Sequence, residues 1–101
     1  MIVSTDTMKA AAIDRFGGPD ELTLHTLPIP DIGNDEVLIR VDTAGVGVWD
    51  PWVREGEFAQ MSGVKPRFPC VLGADGSGTI VGLGKGVQRF REGTRCTGTT
   101  H

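Results

Sequence analysis

The sequence predicts an all-β fold with a short helix, a small and partly open β-barrel, and three stretches carry that prediction. From Phe68 to Gly86 the chain reads FPCVLGADGSGTIVGLGKG, with glycine at 73, 76, 78, 82, 84 and 86 around the run Thr79-Ile80-Val81. Glycine takes positive φ and allows close backbone approach, so this density reads as a strand between two tight corners. A flexible linker would lack the bracketed apolar run. From Glu36 to Thr43, Val37, Ile39 and Val41 alternate with Glu36, Arg40 and Asp42, Leu38 being the exception. That is the period-two pattern of a half-buried strand, with the valines and isoleucine facing inward. Finally, Asp50-Pro51 reads as an N-cap with proline in the first helical position, and Gly56 as the stop, which leaves room for a turn or two of helix.

The other elements follow in order. Met1–Thr7 is polar, patternless and expected to be mobile. Met8–Phe16 is a first strand, apolar on both sides with a charged exit, and Gly17-Gly18-Pro19 turns the chain. In Glu21–Leu27, Leu22 and Leu24 alternate against Thr23 and His25, which puts His25 on a solvent-facing side without a partner nearby. Pro28, Pro30, Gly33 and Asn34 make a rigid connector, Ala44–Val48 continues the third strand as an extended segment, and Glu57–Pro66 reads as a loop. Near the end, a Glu92-Gly93 turn leads into a last short strand from Arg95.

A chain of 101 residues, 39% hydrophobic and 23% charged, suits one globular domain, here Met8–Gly98 with a tail of residues 99–101. Its net charge is -3, and the basic residues beyond Gln60 lack interleaved aromatics, so nothing points to nucleic acid. No apolar run approaches the ~20 residues of a membrane span, and no leader pattern opens the chain, which makes the cytoplasm the expected compartment. Cys70 and Cys96 read as free thiols, and with His25 and His101 they follow no metal-ligand spacing.

The glycine run does not complete a phosphate or dinucleotide signature. Gly76-x-Gly78 is followed by Val81 and Gly82-x-Gly84 by Val87, where a G-x-G-x-x-G fingerprint needs a third glycine and a helix. No Ser/His/Asp or Cys/His arrangement of recognisable form is present.

Taken together, MKAAAIDRFGGPDELTLHTLPIPDIGNDEVLIRVDTAGV, WDPWVREG and FPCVLGADGSGTIVGLGKGVQRFREGTR resemble the N-terminal, GroES-like domain of the medium-chain dehydrogenase/reductase superfamily. The likeness runs from about Met8 to Gly98 and is greatest to the zinc-independent, NADPH-dependent quinone oxidoreductases. In the zinc alcohol dehydrogenases the segment matching Gly45–Asp50 reads Gly-Val-Cys-His-Thr-Asp, and this chain has Gly47 at the ligand cysteine. The ligand histidine of the His-Glu pair is here Ala74, followed by Asp75. Neither side chain offers a lone pair, so the resemblance implies no catalytic zinc.

It also implies hydride transfer from NADPH to a quinone or enone, with the nucleotide bound by a Rossmann half that this chain lacks, so that the chain alone is expected to be inactive. Asp50 matches the family's aspartate, for which an N-cap role outweighs proton transfer. Gly47, Val48, Trp49, Trp52 and Phe58 are the expected acceptor-binding residues, with packing beneath the barrel lip an equal alternative for Trp49, Trp52 and Phe58. Quinone reductases usually carry asparagine where this chain has Gly47. Uncovered apolar surface near Val46, Val48 and Trp49 would favour a homo-oligomer. A free-standing GroES-like co-chaperonin, or a non-catalytic binding remnant, is the rival reading.

Overall fold

The structure is a computed structural model that describes residues 6–99. It is mostly β, with two short helices, and its strands form two open three-stranded sheets rather than a closed barrel. The chain divides into two compact units: one takes the residues up to Ile29 together with Gly47–Gly73, the other Pro30–Val46 with the residues from Ala74 on. The expected mobile segment lies outside the described residues except for Asp6 and Thr7, and Thr7 already pairs with Pro28.

In the first unit, β1 (Thr7–Ile13) lies between β2 (Thr23–Pro28) and the two-residue β4 (Cys70–Val71). The β1–β2 ladder is antiparallel and unbroken from Thr7↔Pro28 to Ala12↔Thr23. Directly paired residues share a face, so Met8, Ala10 and Ala12 stand beside Leu27, His25 and Thr23. The leucine–threonine alternation therefore runs in the opposite phase to the one expected. Leu24 is 70% exposed, whereas the His25 side chain is only 17% exposed. Nor is His25 alone: its Nε2 lies 3.1 Å from both carboxylate oxygens of Asp14, and its Nδ1 lies 3.0 Å from the Thr23 carbonyl.

Two helices follow where one was expected. α1 (Asp50–Arg54) ends as foreseen, with Gly56 left-handed at φ 86° and its N–H on the Val53 carbonyl. The segment read as a loop instead forms α2 (Glu57–Ser62), closed by Gly63 at φ 73°. Six residues between two left-handed glycines are too few to show a helical period, but the glycines supply its start and its stop. Gly56 cannot carry a side chain for a second reason: a Cβ would come within 2.8 Å of the Phe16 ring. Arg54 ties α1 to the turn after β1, its carbonyl accepting from Gly17 N–H and its Nε donating to Gly17 O.

In the second unit, β5 (Asp75–Leu83) lies between β3 (Val37–Ala44) and β6 (Arg95–Thr99), all antiparallel. The corners expected at both ends of the strand are supplied by Gly73, left-handed at φ 91°, and by the turn at Gly84 and Gly86, but the other three glycines are not corners. Gly76, Gly78 and Gly82 lie inside β5, and the β3–β5 register shifts between Leu38 and Ile39 and again between Val41 and Thr43. Each shift resets which side chains face in. Val41, expected inside, stays in step with Ile39 and shares its face, yet it is 55% exposed where Val37 and Ile39 are half-buried, because the residue paired with it is Gly78, which has no side chain to cover it. A Cβ on Gly78 would overlap the Arg40 carbonyl and come within 3.0 Å of Val41 Cα, so only glycine lets the two backbones meet between the shifts. The Glu92-Gly93 turn forms as read, with Gly93 at φ 87° and its N–H on the Ile80 carbonyl. Among the described residues only Ala12, Ile13 and Ile80 are buried apolar side chains, which makes for a thin core in each sheet. Among the described residues no helix is long and apolar enough to cross a membrane.

Candidate functional site

All six residues singled out from the sequence fall in the first unit, and the structure sorts them into two groups. Gly47, Val48, Trp49 and Asp50 form one tight turn at the start of α1. The Asp50 N–H donates to the Gly47 carbonyl at 3.1 Å, and the Asp50 Oδ2 accepts from the Gly47 N–H at 2.8 Å. The expected cap is thereby corrected. Asp50 is already helical and Trp49 holds the cap position without a side-chain hydrogen bond. The Val53 N–H, which a cap at residue 50 would take, is already bonded to the Trp49 carbonyl, and the Asp50 carboxylate reaches back to the Gly47 amide instead. Half-buried and bonded to a backbone amide, Asp50 fixes the loop; nothing else in the turn stands ready to exchange a proton with it.

Trp49 folds back over Gly47. A Cβ built on Gly47 would lie 2.7 Å from Cζ2 and 2.8 Å from Nε1 of the indole, so the ring occupies the space a side chain at 47 would need. Trp49 nevertheless stays 48% exposed, and Val48 beside it is 91% exposed.

Trp52 and Phe58 make the second group. Their rings meet edge to face, with centroids 5.7 Å apart at 72°, and join α1 to α2 across Gly56. Such a pair contributes ~0.5–1.5 kcal/mol beyond its buried area, so this contact holds the helix elbow together.

An open concavity lies in each unit, and none of the six residues lines either. One, of about 530 Å³, sits at the end of the second sheet, where Asp75 accepts from the Thr99 hydroxyl at 2.9 Å. The other, of about 400 Å³, lies between Phe16 and α2, with Glu55 and Lys65 on its rim. Sequence reasoning pointed to neither as a site, although Asp75 and Gly76 at the first belong to the glycine run.

Gly47 and Ala74 bring no donor atom to a metal, and among the described residues no group of three or more His, Cys, Asp or Glu side chains is placed to hold one. Cys70 and Cys96 are free, and burial pushes the Cys70 thiol above its ordinary pKa, away from the thiolate that binds metal. A dinucleotide fits these residues no better. Its pyrophosphate takes a helix N-terminus reached through a glycine fingerprint, whereas Gly76, Gly78 and Gly82 lie within a strand.

Residues 33–100 match the family described as the alcohol dehydrogenase GroES-like domain. A quinone oxidoreductase from Lama guanicoe is 35% identical over 92% of this chain and 27% of its own length. An NAD-dependent alcohol dehydrogenase from Sulfolobus acidocaldarius is 40% identical over 84% of this chain and 24% of its own. The solved structure of a mycobacterial protein complexed with NADPH is 28% identical, with a TM-score of 0.79, over 92% of this chain and 28% of that one. The chain thus spans about a quarter of the length of the relatives it matches. It belongs to the alcohol dehydrogenase GroES-like domain family of the medium-chain dehydrogenase/reductase superfamily.

Proposed function

We propose that this chain is the substrate-side domain of a zinc-independent, NADPH-dependent oxidoreductase of the quinone or enone reductase type. The observation that carries the reading is the Gly47–Asp50 turn. Where the zinc enzymes of the superfamily place a thiolate, this turn has a bare Cα covered by an indole, and its carboxylate is engaged with a backbone amide. An acceptor bound there would meet an apolar, aromatic surface and no Lewis acid. Conjugated carbonyls suit such a surface, since their reduction relies on positioning more than on metal polarisation. The quinone oxidoreductase among the relatives and the NADPH in the mycobacterial structure support the substrate and cofactor classes.

Because these residues do not fit a dinucleotide, the chain by itself is inert. Three measurements test the reading. Elemental analysis of protein purified without chelator should show far less than one zinc per chain. Titration with NADPH should show no saturable binding, and the chain should reduce a quinone only when a separately expressed nucleotide-binding half is added. Stoichiometric zinc that survives dialysis overturns the zinc-independent reading. A defined ring on size-exclusion chromatography would favour the co-chaperonin instead.

A further inference from the structure

We infer that the Trp49 indole, seated on Gly47, is a stacking platform that selects flat, conjugated acceptors; the inference rests on the reductase reading proposed above. Three observations lead to it. First, the two aromatic groups differ in what is free: Trp52 is half-buried and spends its ring edge on Phe58, while Trp49 is 48% exposed and carries no such ring contact. Second, the exposed ring is placed. The turn closed by the Asp50 carboxylate and amide brings residue 49 over residue 47, where indole atoms lie 2.7 and 2.8 Å from the position of a Cβ. Third, the glycine is required by the ring and not by the backbone, because the positive-φ glycines are Gly56, Gly63, Gly73 and Gly93 and do not include Gly47. An exposed aromatic held in one place meets a planar ligand at lower entropic cost than a mobile one. Indole is electron-rich and quinones are electron-poor, so their faces attract.

Gly47 and Trp49 therefore act as a pair. The missing side chain at 47 makes room for the ring, and the ring takes over the surface that a side chain at 47 would present to the acceptor. Flat acceptors gain from this exchange, and puckered rings do not.

The test uses the whole chain and duroquinone, whose fully substituted ring cannot alkylate Cys70 or Cys96. An indole–quinone stack produces a charge-transfer absorption band and quenches emission without shortening the fluorescence lifetime. Both signals should appear, saturably, in the wild type and in Trp52→Phe, where Trp49 is the sole indole. Trp49→Leu keeps apolar bulk, and should lose the band and weaken binding about tenfold. Gly47→Ala should leave the circular dichroism spectrum unchanged, since its backbone is compatible with alanine, yet weaken binding by a similar factor by displacing the ring. Cyclohexanedione, which is puckered, should bind Trp49→Leu and wild type alike. A charge-transfer band that persists in Trp49→Leu, or an affinity indifferent to both substitutions, overturns the platform. Failure of the reconstituted protein to reduce quinones, with the band intact, would overturn the reductase reading and leave the platform standing.

Discussion

β1 lies at the centre of its sheet with alanine at 10, 11 and 12, and β5 lies at the centre of the other with glycine at 76, 78 and 82. Around the alanines the pairing with β2 stays in step for six successive residue pairs. Around the glycines the pairing with β3 slips twice, and a carbonyl presses against Gly78. Alanine keeps a Cβ on each side of the pleat, so register and facing follow from the ladder. Glycine removes it, so the backbone can approach, bulge and re-aim its neighbours. Each sheet nonetheless closes over one fully buried isoleucine, Ile13 or Ile80.

The largest effect should come from those isoleucines. Ile13→Ala and Ile80→Ala should each cost ~2–5 kcal/mol in chemical denaturation, a large part of the stability of a chain this small. Similar losses would mean that the two sheets depend on their cores alike. If either substitution proves nearly silent, its sheet is held by its ladder and the comparison fails. Next in size, Gly78→Ala should lose ~1–3 kcal/mol, because the new methyl group meets backbone that cannot step aside. Gly98→Ala, on β6 of the same sheet, is its control: a Cβ there meets only Ile39 Cδ1 at 3.7 Å, so stability should hold or rise by up to ~1 kcal/mol. Equal damage from both would show that β5 tolerates glycine for its flexibility rather than requiring it for contact.

The smallest effect is confined to the alanine-centred sheet and depends on pH. The His25 ring can donate to the Thr23 carbonyl and to the Asp14 carboxylate at once only when protonated, and these two bonds raise its pKa above the ordinary 6.5. A raised folded pKa stabilises the fold below the unfolded value, and that contribution is lost as pH rises through the folded one. Urea midpoints measured between about pH 5 and 8 should therefore fall on the alkaline side. Asp14→Asn should flatten the slope, and an unchanged slope would remove Asp14 from the account.

How much of this was legible depended on the range over which each signal acts. The strands of β3, β5 and β6 and the start of α1 are written in neighbouring residues, and the ordered set of motifs sufficed to place the family. Two glycines with six residues between them bounded α2, but a helix that short has no period to read. The face of β3 was readable but not what covers it: Val41 faces with Ile39, and it is left exposed because it pairs with Gly78, far later in the chain. The partner of His25 lies eleven residues back and meets it only through the β1–β2 hairpin. In the candidate site, Asp50-Pro51 announced a helix start, whereas the direction of the carboxylate did not follow from it. The cover over Gly47 had one visible signal, a bulky aromatic two residues after a glycine.

That doubly closed turn also makes Gly47 a natural spectroscopic probe. Its amide proton lies against a carboxylate in a segment where Val48 is open to solvent, so it should exchange slowly with deuterium while its neighbours exchange fast. The same proton should resonate downfield for a glycine, and its shift should move as a ligand's ring current approaches over Trp49. A single cross-peak would thus report both the integrity of the turn and the arrival of an acceptor.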